Sequence, residues 1–314
     1  MSQPSLSANK KAGRVSSMFK QMGRCYQLYL MILPAIVSVF IFHYIPIYGI
    51  QIAFKNFKTS LGIVGSPWVG FGHFKRFFEY REFWAIMRNT LGISLYSLAL
   101  FPVEPIFALM INEIVNTRLK KTVQMLTYAP HFVSMVVVCS MTILFLDRSN
   151  GVINNVIEAL GGTRRSFISE PESFATIYVL SGIWKSLGWG TIIYLSTLAG
   201  VSPELYEAAR IDGASRFQIV WNINIPSLLP TVITLFILRT GQLMNVGFEK
   251  IFLLQNTLNL PSSRVISTYV YNVGLEGGQY SYASAIGLFN NIINIIFIVI
   301  VNAVSKRVTQ TSLW

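Results

Sequence analysis

Three ionisable side chains, Glu104, Lys185 and Arg239, stand inside stretches otherwise apolar enough for a lipid bilayer. A charge at membrane depth is costly unless it meets a partner, a polar cavity or the interface, so each is a candidate for a translocation pathway. Glu104 is flanked by Pro102 and Pro105, and its second reading is that it satisfies backbone groups freed where a helix breaks. Lys185 lies between Trp184 and Trp189, with Tyr194 beyond. Aromatic faces beside polar donors suit the CH face and hydroxyl rim of a sugar, but aromatic residues in spans also serve as packing and interfacial anchors. The Lys185 ammonium requires either an anionic ligand such as a uronate or a protein carboxylate or backbone partner. Gln242 and Asn245 are spaced i, i+3, and Asn290 and Asn294 are spaced i, i+4. Each pair therefore shares one helical face, able to line a cavity or to bond helix to helix.

Other chemistries find no residues. Cys25 and Cys139, with His43, His73 and His131, are too few and too scattered for a disulfide framework or a Cys-rich metal site. No GxxxxGK[ST] phosphate loop occurs, so the chain has no nucleotide site of that kind. Glu170 and Glu172 read as a solvated loop pair, too little for the acid and base of a membrane glycosyl-transferring enzyme. No catalytic residue, metal or resident cofactor is expected.

The elements that position the candidates are membrane spans. Of 314 residues, 53% are hydrophobic and 12% charged, about half the charge of a typical soluble domain. Residues 25–54, 122–146 and 277–305 contain no Asp, Glu, Lys or Arg, and each run exceeds the ~20 residues that cross a bilayer core. The net charge of +12 comes from scattered residues without an aromatic-interleaved patch, which argues against nucleic acid and for basic cytoplasmic ends. Residues 1–27 read as a basic cytoplasmic tail carrying Lys10, Lys11, Arg14, Lys20 and Arg24, followed by an uncleaved anchor. Residues 28–310 read as one all-α membrane domain with six transmembrane helices, near 28–50, 86–110, 123–146, 174–199, 227–246 and 282–304. An even count puts both termini on one side. The tail and the cluster Arg118, Lys120 and Lys121 make that side the cytoplasm. On the opposite side, Val152, Val156 and Leu160 share a face of a short helix ended by Gly161, lying at the interface or packed on the spans.

The loop 200–226 between spans four and five carries the most specific signal. Ser202 and Pro203 suit the N-cap and first position of a helix, Glu204 and Glu207 favour its N-terminal region, and Gly213 permits a sharp turn. A second short helix is expected to run to Pro226. By itself this is a helix-turn-helix that could merely connect two spans. Its spacing, Glu207-Ala208-Ala209, then Gly213, Ile223 and Ile225-Pro226, resembles the EAA loop of permease subunits in binding-protein-dependent ABC importers. Ile225 stands where the family has Leu.

The resemblance covers most of the chain beyond the tail. Pro34 to Phe54 with Pro46 is similar to the first span of sugar-importer permeases; Val69 to Phe74, Phe83-Trp84 and Asn89-Thr90-Leu91 are similar to their outer loop entering span two. His73 stands where many relatives have Asn. Trp184 to Tyr194, Asn245 to Glu249 and Gly278 to Tyr282 resemble the group that imports oligosaccharides and polysaccharide fragments.

The resemblance implies a type I importer permease (MetI-like) architecture in a bacterial inner membrane. It also implies an ATPase-coupling role for Glu207, Ala208, Ala209, Asp212 and Gly213. Implied partners are a second permease subunit, an ABC ATPase dimer that holds ATP and Mg, and an extracytoplasmic solute-binding protein that delivers carbohydrate. Transport would proceed by alternating access. The rival reading, an ion-coupled secondary transporter of sugars, often shows inverted repeats; no half-to-half symmetry is visible here, and such a carrier has no use for the loop.

Overall fold

The computed structural model describes residues 26–309 and 312–313. The five basic residues of the tail and Cys25 lie outside the described residues. Among the described residues regular structure is helical, with isolated bridges only at Lys55–Trp68 and Lys58–Gly62. The chain divides into two compact units after Trp68.

In the first unit one continuous helical rod, Tyr26–Phe54, is long and apolar enough to cross a membrane. It passes through a π turn at Phe40–Tyr44 into 3-10 geometry over Ile45–Phe54. Pro46 sits at the start of that last segment and supplies no N–H to the turn before it, so the hydrogen bonding changes register there. The following loop folds back until Phe54 stacks on Trp68 at 5.7 Å.

In the second unit Phe83–Asn112, Arg216–Thr240 and the helix ending in Arg307 also meet the requirements of a membrane span. Phe83–Ala99 and Val103–Asn112 are separated by a turn at Leu100–Pro102, so the prolines interrupt span two as their chemistry demands. Span three, expected near 123–146, is built of two helices, Thr117–Phe132 and Met135–Leu146, that meet at 104°. Pro130 lies in a 3-10 turn, the chain extends at Val133 and Ser134, and the Ser134 hydroxyl caps the new helix by accepting from Val137 N at 3.4 Å. Pro171–Ala199 has 29 residues, ample length at 1.5 Å per residue, but interrupted by Lys185 it is not among the helices apolar enough to qualify as spans by composition. With the bent pair counted once, the helices are compatible with six crossings.

Span five starts earlier and ends sooner than expected. Arg216–Thr240 is one helix, so the second loop helix is the first part of the span. Ser215 and Gln218 close a capping box that starts it, and a π turn at Val220–Asn224 precedes Pro226, absorbing its missing donor. Gln242 and Asn245 consequently lie in a turn beyond Thr240, not on a helical face.

Near the 72–83 end of this unit, Phe77, Phe83, Ile86, Tyr269, Tyr282 and Ile286 form an aromatic-rich core. The short helix Val152–Ala159 exposes Val152, Val156 and Leu160 while its polar Asn154 is completely buried. Asn154 donates to the carbonyls of Leu146, Asp147 and Arg165 and accepts from Arg165 N. An apolar face turned outward and a polar anchor turned inward suit a membrane interface.

Candidate functional site

The Pro171–Ala199 helix organises the site, and six positions between Trp184 and Tyr194 do different jobs. Lys185 turns its ammonium to the break in span three. It donates to the carbonyls of Val133 at 2.6 Å, His131 at 2.7 Å and Pro130 at 3.4 Å. Pro130 O also accepts from Val133 N at 3.2 Å, whereas the His131 and Val133 oxygens stand at the bend where regular helical bonding stops, so the backbone alternative for Lys185 is the one realised. Gly188 lets the Thr127 backbone lie directly on the helix, and Gly190 makes room for Glu104, whose carboxyl carbon is 2.7 Å from where a Cβ would stand. Trp189 stacks on His131 at 4.4 Å with rings almost parallel. Tyr194 is wholly buried with Ala108, Leu198 and Leu228, its hydroxyl without a partner among the described residues. Trp184 lies on an apolar groove of about 590 Å³ with Phe145, Leu146 and Leu180. It does not line the cavity that Lys185 lines.

Glu104, Lys185 and Arg239 do come together. They line one cavity of about 280 Å³, along with His131, Tyr178 and Lys250. Arg239 forms an ion pair with Glu104 at 3.1 Å. Lys250 is 5% exposed, donates to the Tyr178 carbonyl and places its ammonium 4.6 Å from the Tyr178 ring centroid. Neither lysine has a carboxylate at ion-pair distance among the described residues. Two positive charges are thus left over against the one compensated pair. An adjoining cavity of about 210 Å³ shares Ser97, Tyr178 and Arg239 and brings in Gln242 and Asn245. Asn290 lines a third, of about 440 Å³, with Asn245. The amides also bond element to element: Asn245 Oδ1 accepts from Asn290 at 2.7 Å and from Asn294 at 3.0 Å, and Asn294 accepts from Met244 N at 2.9 Å. Asn294 is buried and lines none of these three cavities.

The other candidate region is the loop. Its helix, Pro203–Ile211, ends with Gly213 at φ +77°. Ala214 N reaches back to Ala209 O at 2.9 Å, the 6→1 bond that closes a helix behind a left-handed glycine. Ser202 occupies the N-cap without a side-chain hydrogen bond. Glu207, Ala208, Asp212 and Gly213 are exposed, Ala209 is half-buried, and Leu205, Ile211, Phe217 and Trp221 present large apolar surfaces. Tyr206 turns the other way. Its hydroxyl donates to Asn224 Oδ1 at 2.7 Å, and burial, reinforced by the Glu113 carboxylate, pushes its phenol above the ordinary range.

Residues 105–310 match the family described as the binding-protein-dependent transport system inner membrane component. The chain belongs to that family. This inner-membrane component is 42% identical over 304 residues to Protein LplB of Bacillus subtilis (strain 168), covering 96% of each chain. It is 39% identical over 306 residues to the polygalacturonan/rhamnogalacturonan transport system permease protein YteP of the same organism, covering 97% of this chain and 95% of that one. Among solved structures, a chain of a bacterial alginate ABC transporter, in complex with an alginate pentasaccharide-bound periplasmic protein, superposes with a TM-score of 0.85 at 38% identity. The match covers 94% of this chain and 99% of that chain.

Two groups in this permease escape a reading of the sequence. Lys250 lies in a short helix, Phe248–Leu254, outside any run long enough to be read as a span. Its charge among Phe248, Ile251, Phe252 and Leu254 was the available signal, and only packing buries it. Asn224 is an unremarkable amide in sequence, yet it is fully buried.

Proposed function

We propose that this chain forms part of the membrane pathway of an ATP-driven importer of oligosaccharides or polysaccharide fragments, with preference for carboxylated sugars. The observation that carries the substrate reading is the cavity shared by Lys185, Arg239 and Lys250 against the single carboxylate Glu104. A uronate would find there the positive field of the Lys250 ammonium, which no carboxylate neutralises, in a site of low dielectric, while Lys185 is engaged by backbone carbonyls. The names of the relatives, a polygalacturonan/rhamnogalacturonan permease and an alginate transporter, support the same class.

Both termini lie in the cytoplasm. The exposed loop helix with Glu207, Ala208, Ala209, Asp212 and Gly213 then docks on an ATPase that holds ATP and Mg, while a second permease subunit completes the pathway. An extracytoplasmic solute-binding protein supplies the sugar. Closure of the ATPase pair draws the loops together and opens the cavity outward; hydrolysis returns it inward. Glu104, Gln242, Asn245 and Asn290 offer hydrogen bonds along this path.

The test is Lys250→Met in the assembled transporter, with uptake of matched neutral and uronate oligosaccharides. Uronate uptake should fall at least about tenfold more than neutral uptake, the effect of ~1.4 kcal/mol of differential binding. Equal losses would sink the carboxylate preference.

A further inference from the structure

Asn224 holds three separate pieces of this permease through one side chain. It is 0% exposed and closes the π turn at Val220–Asn224, in the first part of span five. Its Oδ1 accepts from the Tyr206 hydroxyl at 2.7 Å. Its Nδ2 donates to Glu113 Oε1 at 3.3 Å. Tyr206 belongs to the loop helix, and Glu113 caps Val103–Asn112, the last part of span two. The donor direction is the same throughout: phenol to amide oxygen, amide nitrogen to carboxylate. No apolar residue at 224 could satisfy both neighbours. The loop helix is two-sided as a result. Leu205, Glu207, Ala208 and Ile211 face outward, whereas Tyr206 and half-buried Ala209, three residues apart, face the membrane helices.

We infer that Asn224 is the joint through which a displacement of the loop helix reaches spans two and five, with Tyr206 and Glu113 as its arms and all three as positioning residues. The inference rests on the proposed docking of an ATPase on this loop. A contact confined to the exposed face can push the helix, and short backbone connections tie it to spans four and five, but span two is reached only if something couples the inner face to it. Here a buried amide does so, and it engages both spans at once. Chains of such hydrogen bonds have discrete made and broken arrangements, which a transmitting element requires.

The test needs no knowledge of the sugar. The full chain is purified with its partner subunits and ATPase in a Cys25→Ala, Cys139→Ala background, with Ser97→Cys as a reporter, because Ser97 lines both charged cavities. Thiol-labelling rates are compared between nucleotide-free and ATP–vanadate-trapped complexes. In the parent the two rates should differ. Tyr206→Phe, which removes only a hydroxyl, should shrink that difference at least about fivefold, the lower end of coupling between sites, while the ATPase stays bound and hydrolyses ATP. Glu113→Gln keeps an acceptor and should retain the response, whereas Glu113→Leu should lose it. A full response in Tyr206→Phe and Glu113→Leu alike overturns the joint and leaves the docking reading intact. A parent chain that carries no ATPase overturns the docking reading, and the joint with it.

Discussion

The Lys185 ammonium lies 2.6 Å from the carbonyl oxygen of Val133, at the bend where span three changes direction by 104°. A cation here does the work of a helix cap. Lys185→Met should therefore strip a partner from the His131 and Val133 carbonyls and destabilise the assembled protein by on the order of 2 kcal/mol. Uptake of neutral and uronate oligosaccharides should fall together, in contrast to Lys250→Met. Detergent-solubilised yield and melting temperature, measured beside uptake, check this; a loss confined to uronates would show that Lys185 meets substrate instead.

The Arg239–Glu104 pair is partly open to the cavity, with the guanidinium side more exposed than the carboxylate. Removing one partner leaves a charge at membrane depth without compensation, so Arg239→Met and Glu104→Gln should each cost about 1–3 kcal/mol. The double substitution should cost less than the sum. A double-mutant cycle on thermal stability reads this directly, and strict additivity would mean that the pair contributes nothing.

Glycines 188 and 190 make opposite demands on their neighbours. A Cβ at Gly188 would fall on the backbone carbonyl of Thr127, which cannot move alone; one at Gly190 would press on the Glu104 carboxyl, the end of a flexible side chain. Gly188→Ala should lower the melting temperature by the equivalent of about 1–3 kcal/mol, and Gly190→Ala by less. Gly92→Ala, with open space around it, serves as the neutral control. The order 190 worse than 188 would contradict the packing described.

Gly213 has open space around it and a φ of +77°, so backbone conformation alone restricts it. Gly213→Val should strain the turn by about 1–2 kcal/mol and abolish ATP-driven uptake while the membrane helices still fold. Gly213→Asn, which tolerates the left-handed region, should retain most activity. Comparable uptake by the Val and wild-type proteins at equal expression would remove the loop from the coupling path.

Local features of the sequence were enough for the membrane class, the interruption of span two at its prolines and the glycine-closed loop. Apolar run length, proline's missing N–H and glycine's access to positive φ act over a few neighbouring residues, so they need no knowledge of the fold. Span three shows where that reasoning stops. An uncharged run from 122 to 146 is equally consistent with a straight helix and with a bent pair, and the bend depends on a lysine more than fifty residues away to satisfy the broken backbone. Lys185, Lys250 and Asn224 have the same character. Each was visible as a polar side chain, but its role depends on which carbonyl, ring or carboxylate the packed helices bring into contact with it. Periodicity places a residue on a face; only tertiary packing decides what that face meets, because the desolvation that makes a buried polar group consequential arises when distant segments close over it.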